Sequence, residues 1–263
     1  MNLSSYIENI RKADDKIHTV IETSFGDFVT DIKKSKFPFT GKAIIMLVTK
    51  SNFIKNSIFD IALNEDLYSA NILFRSLIEH FLRHQYLFIS FAKDKEDTVG
   101  IDYYKYCDMG ENFDFLRAIK STKQIFDPDN VDINTWEILS NISPEFKKLS
   151  PKELEDKNRR FTYKNIVKYI VSTIPHTGND TLLKSIIPTY SELSSFVHGG
   201  PGGEDVLLKN QKKDVRSESL KNICRTSFLI TKNIKLFTYF FGMQLFPKYL
   251  SFYKQISEIN LNF

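Results

Sequence analysis

The chain has 263 residues with 10 Gly and 8 Pro, too few for a collagen-like, linker-rich or low-complexity chain or for the turns of an all-β fold. Apolar content of 42%, with 23 Phe, 12 Tyr and 1 Trp, supports a sizeable core and argues against global disorder. A net charge of +4, from 36 basic and 32 acidic residues, permits nucleic-acid binding without indicating it.

The apolar spacing is helical almost throughout. Met1 to Lys34 reads as one helix, with Ile7, Ile10, Ile17, Ile21, Phe25 and Phe28 at three- and four-residue steps. Glu8, Asp14 and Asp15 interrupt its start, so no signal-peptide core is expected. Lys36 to Gly41 reads as a breaker. Lys42 to Leu63 is apolar on most sides, which predicts a central helix. Glu65 to Phe91 is a third helix, and the charged run Lys93 to Asp97 marks a turn.

Asp102 to Lys120 is a fourth helix, closed by the loop signal Asp127-Pro128-Asp129-Asn130. A short helix around Trp136 follows, then the start signals Ser143-Pro144 and Ser150-Pro151, in which Ser caps and Pro takes the first helical position. Thr162 to Ser172 and Thr181 to Val197 are helical, the latter holding Pro188. The run His198-Gly199-Gly200-Pro201-Gly202-Gly203 must end that helix. A final long helix runs from about Ser217 to Phe246, and a short one follows Pro247. Lys232 and Lys235 interrupt its apolar stretch and exclude a membrane span. Cys107 and Cys224 form no CxxC, which excludes a disulfide framework or a four-cysteine zinc site. Reduced thiols in a cytoplasm are expected.

The expected fold is therefore all-α: one helical-bundle domain over residues 1–263. Its core lies at about 40–246, residues 1–35 and 247–263 are helical extensions, and a polar insertion sits near 121–160.

Two segments stand out chemically. In Arg75-Ser76-Leu77-Ile78-Glu79-His80, the apolar neighbours of Arg75 predict at least half burial, and a buried guanidinium needs a partner. Glu79, at i+4, can supply one. In the second segment Tyr190, Ser194 and His198 fall on one helical stripe that ends at the glycine run. If the two helices pack, Arg75 and Glu79 face Ser194 and His198. At 3.6 residues per turn, Arg75 and His80 lie about 140° apart, so they do not share a face.

Arg-x-x-x-Glu on one helix, Trp136, and Tyr190-x-x-Leu193-Ser194-x-x-x-His198-Gly199 on a later one resemble an uncharacterised bacterial family of helical proteins. In pattern that family is similar to the HEPN superfamily, and Arg75 to His80 matches its Arg-x4-His motif. The resemblance spans roughly residues 40–245. It implies a helical-bundle, metal-independent endoribonuclease, in phage defence or a toxin–antitoxin system. An antitoxin or regulatory protein is then an expected partner, and a homodimer is implied because the motif usually meets its copy across an interface. No cofactor and no metal is implied. In RNA transesterification a general base takes the 2′-OH proton and a general acid protonates the leaving 5′-oxygen, roles that suit histidine. An arginine fork suits the phosphorane. Catalytic candidates are Arg75, Glu79, His80 and His198; substrate-binding candidates are Tyr190, Ser194, Gly199 and Gly200.

Blander readings stand beside these. Arg75 and Glu79 can be a structural ion pair, and His198 can serve the last carbonyls of its helix. His80 and His84, at i and i+4, can bind a metal or be ordinary face residues. The glycine run can cradle a phosphate or act as a hinge. The whole chain can be a helical interaction or sensor protein, or a nucleotide or small-ligand binder with that run as lid.

Overall fold

Two long antiparallel helices form the centre, joined by the short turn at Asn64–Asp66: α3 (Pro38–Leu63) and α4 (Leu67–Asp94). Around them the chain adds α1 (Leu3–Glu22), α2 (Phe25–Lys34), α5 (Thr98–Asp102), α6 (Asp108–Phe126) and α7 (Thr135–Ile142). Then come α8 (Pro151–Asn158), α9 (Tyr163–Thr173), α10 (Thr181–His198), α11 (Lys213–Leu245) and α12 (Leu250–Glu258). The computed structural model describes residues 1–127, 134–142, 147–173, 181–198, 200–201, 203–204, 208 and 211–261. Among the described residues there is no strand, and the all-α bundle expected from periodicity is the fold. The loop signal at 128–130, the Ser143-Pro144 start and Gly199 lie outside the described residues.

α4 is enclosed by α3, α9, α10 and α11, so nearly all its apolar side chains are buried, from Phe74 and Leu77 to Phe88 and Phe91. Aromatic contacts tie it to α11: Phe88 on Phe237 at 4.8 Å and Phe91 on Phe241 at 4.7 Å. Fully burying one such side chain stabilises the fold by about 1.5–3 kcal/mol.

Local chemistry moves several expected boundaries. The single helix expected over Met1–Lys34 is two, because Thr23 and Ser24 turn their hydroxyls back onto the carbonyls of Val20 and Ile21. Ser24 is buried and also meets the Tyr239 hydroxyl at 2.6 Å. The expected breaker at Lys36–Gly41 is found at Lys36 and Phe37, between α2 and α3, whereas its second half, Pro38–Gly41, already forms the start of α3. Pro38 opens that helix, and the Asp97 carboxylate accepts the Phe39 and Thr40 amides at 3.0 and 2.7 Å. Thus Asp97, read as part of a turn, caps a helix 57 residues away. The helix expected from Asp102 begins earlier, as α5, and runs into α6 through a π turn at Tyr103–Cys107. Within the expected polar insertion, Ser150 and Glu153 close a capping box at the start of α8. Arg117 of α6 pairs with Glu155 there.

The two lysines in the apolar stretch of α11 are clamps. Lys235 donates to Asp14 of α1 at 3.1 Å, and Lys232 donates to the carbonyls of Ser257 and Ile259 behind α12. Among the described residues no helix is long and apolar enough to cross a membrane.

Candidate functional site

α10 packs along α4 and brings together residues more than a hundred positions apart. Nη2 of Arg75 donates to the Tyr190 hydroxyl at 2.8 Å, and Nε lies 3.4 Å from the Ser194 hydroxyl. The Arg75 guanidinium also sits 4.6 Å from the Tyr190 ring centroid. That ring stacks on Tyr163 of α9, centroids 3.6 Å apart and planes 14° apart. The Tyr163 hydroxyl donates to the Ile187 carbonyl at 3.0 Å, just before Pro188. Two stacked tyrosines from different helices therefore hold the guanidinium.

Glu79 is shared. Arg83 reaches it at 2.8 Å, whereas Arg75 stands off at 3.9 Å. The three side chains are 19%, 30% and 29% exposed for Arg75, Glu79 and Arg83, so the pair of guanidiniums is half-buried and reachable by solvent. Two cations on one carboxylate leave a local excess of one positive charge. Burial opposes the Arg83 charge, but Glu79, Tyr103 and Cys107 together outweigh it and raise its pKa. Burial, reinforced by Glu79, raises the Tyr190 phenol, so that hydroxyl is neutral at physiological pH. At its far end Arg83 faces the π turn. There burial raises the Tyr103 phenol and pushes the Cys107 thiol up to about 12, leaving it unreactive.

Of the expected meeting of Arg75 and Glu79 with Ser194 and His198, Arg75, Glu79 and Ser194 come together, with Tyr190 beside them, and His198 stands apart. His198 is the last residue of α10, exposed, one turn beyond Ser194 and so about 6 Å further along the axis. Among the described residues no hydrogen bond or ion pair joins it to Arg75 or Glu79. Gly200, just beyond, is half-buried.

His80 does not belong to the cluster. Its Nδ1 donates to the Ser76 carbonyl at 2.8 Å, and burial lowers its pKa. It points away from the Arg75 face, as the helical angle requires. His84 is fully buried behind α4. Nε2 lies 3.0 Å from the Thr238 hydroxyl, whose own proton goes to the Ile234 carbonyl. Nε2 is therefore the donor, and Nδ1 has no partner. His80 and His84 form no metal site, and no cluster of three metal-ligating side chains occurs among the described residues.

Residues 41–215 match the model of DUF5677, a family of unknown function. The chain belongs to this family. No curated protein and no solved structure matches it. The DUF5677 stretch contains α3 to α10, and with them the whole Arg75–Tyr190 cluster and His198. Its limits leave out α1, α2, α12 and nearly all of α11. The matched stretch thus carries the polar cluster, while the elements outside it complete the hydrophobic core.

Arg83, Tyr163 and Tyr103 are members that sequence reasoning missed. Arg83 was legible, since Arg75-x3-Glu79-x3-Arg83 repeats a four-residue step. The two tyrosines carried no signal, because their place depends on how α9 and the π turn pack.

Proposed function

We propose that this DUF5677 protein is a HEPN-like endoribonuclease whose active centre lies at the α4–α10 junction. The observation that carries the reading is the anchored, solvent-reachable Arg75, with surplus positive charge around it and an exposed histidine on the same stripe of α10. A phosphodiester placed against the Arg75–Arg83 edge finds guanidinium donors for its non-bridging oxygens. His198 takes the 2′-OH proton; the 2′-oxygen then attacks phosphorus, the bond to the 5′-oxygen breaks, and that oxygen takes a proton from solvent water. The products are a 2′,3′-cyclic phosphate and a 5′-hydroxyl. Glu79 acts as a positioning residue for both guanidiniums, and Tyr190 as one for Arg75.

A second reading is favoured by a specific observation. Tyr190, Ser194 and Glu79 already engage all three nitrogens of Arg75. That pattern suits a clamp between α4 and α10 in a non-catalytic interaction protein. The test is cleavage of a fluorogenic RNA by wild type, His198→Ala and Arg75→Lys, alongside urea unfolding. Loss of cleavage in His198→Ala with unchanged stability supports catalysis. No cleavage by wild type, with Arg75→Ala destabilised by several kcal/mol, supports the clamp.

A further inference from the structure

One exposed face of α3 is apolar in a way the core does not explain. Phe39, Met46 and Phe53 stand at seven-residue steps, and are 47%, 44% and 71% exposed. Seven residues bring an α-helix back to nearly the same angle, so the three form one stripe about 21 Å long. Beside it α2 runs antiparallel, and the two helices enclose a groove of about 350 Å³. Val29, Ile32, Pro38 and Ile45 line it together with Phe39 and Met46.

The charged side chains that line the groove itself are Lys33 and Lys42. One turn beyond Met46 the charges are mixed, since Lys50 sits there with Asp108 and Glu111. Two carboxylates close to the start of α3 are already engaged. Asp97 holds the Phe39 and Thr40 amides, and Asp31 holds Lys248 and the Tyr249 hydroxyl.

We infer that this groove binds an acidic amphipathic helix of a partner protein, with apolar anchors at helical spacing in the groove and carboxylates against Lys33 and Lys42. Three observations select that occupant. The length of the stripe suits a helix of about four turns laid along it, whereas a small amphiphile filling the cavity would leave Phe53 bare. The site is concave, floored by Ile32 and Ile45, while a membrane surface is met by a convex face. A second copy of the chain laid groove on groove would set Lys33 and Lys42 against the same lysines, a like-charge juxtaposition that weakens association.

The probe is a labelled peptide of about 18 residues, roughly 27 Å when helical, with Leu at i, i+4, i+7 and i+11 flanked by Glu. Its twin carries Lys in place of each Glu. Binding to the full chain is followed by fluorescence anisotropy at low and high salt. The expected result is saturable binding of the Glu peptide, weakened by salt and weakened about tenfold or more in Lys42→Glu and in Met46→Ser/Phe53→Ser. These positions are exposed, and thermal unfolding by circular dichroism checks that the variants stay folded. Four results overturn the proposal. They are no saturable binding, equal binding of both peptides, binding indifferent to the substitutions, and sedimentation showing that the chain self-associates through this face. Flotation with phosphatidylglycerol vesicles that Phe53→Ser abolishes would assign the stripe to a membrane surface instead.

Discussion

Two histidines, His84 on α4 and His198 on α10, show how burial separates chemistry from structure at the scale of a residue. His84 is enclosed, its Nδ1 lacks a partner, and burial pushes its pKa down to about 3. An unfolded chain leaves it near the ordinary value of about 6.5. Below that value the unfolded state takes up a proton that the folded state refuses. Stability contributed by neutral His84 is therefore full above pH 6.5 and declines as pH falls toward 3. Between pH 7 and pH 5 the loss from this one group is about 2 kcal/mol. Urea midpoints across that range should fall in wild type and fall less in His84→Asn; parallel profiles would refute the assignment. His198, by contrast, is exposed at a helix end. Among the catalytic candidates Arg75, Glu79, His80 and His198, the helical angle already separated Arg75 from His80. What it did not contain was the use of the Arg75 nitrogens, since that depends on where Tyr190 and Tyr163 are carried by α10 and α9.

At the scale of an element, the start of α3 joins segments that look unrelated in the chain. Asp97 caps it, and Gly100 of α5 lies so close that a Cβ there would stand 2.1 Å from the Thr40 nitrogen. That neighbour is backbone and cannot yield. Gly100→Ala should cost roughly 1–3 kcal/mol or more through overpacking, read as a lowered urea midpoint, and an unchanged midpoint would contradict this packing. Asp97→Ala should cost about 0.5–2 kcal/mol as a lost cap. Helix existence was legible from apolar periodicity, because tertiary burial and period agree along nearly every segment. The breaks were less so. Thr23 and Ser24 read as ordinary helix residues until Ser24 is seen buried against Tyr239. Lys36 to Gly41 read as a breaker because Pro38 and Gly41 are weak helix formers; the break is there at Lys36 and Phe37, but the distant cap that starts α3 already at Pro38 is not local. The π turn at Tyr103–Cys107 adds a residue to a turn without any compositional sign.

Across the whole molecule, one buried ionic knot ties together helices from both ends of the chain and its centre. Asp14 of α1 accepts from Lys55 of α3 and Lys235 of α11, and Lys55 also donates to Asn52 at 3.0 Å. Lys55 is fully buried; burial and then Lys235 lower its pKa to about 8. One anion thus serves two buried cations. Asp14→Asn should destabilise by about 3–5 kcal/mol, since it strips both lysines of their counter-charge. Lys55→Met should be nearly neutral or stabilising, because it removes the costlier cation and leaves the Asp14–Lys235 pair intact. Denaturation of the two variants side by side checks the asymmetry, and equal losses would refute it. The knot sits where α1 and α11 close on α3, largely outside the stretch that defines the family. The Arg75–Tyr190 cluster on α4 and α10 lies wholly within that stretch.

The central claim is that Arg75 and His198 form a ribonuclease centre. It is tested most directly by incubating purified wild type, Arg75→Lys, His198→Ala and His80→Ala with a labelled single-stranded RNA and resolving the products by mass. The account predicts fragments ending in 2′,3′-cyclic phosphate from wild type and from His80→Ala. Cleavage should fall by about a hundredfold or more in His198→Ala and Arg75→Lys at unchanged thermal stability. Intact RNA with wild type, or cleavage that survives His198→Ala, would contradict it and leave the cluster as a clamp between α4 and α10.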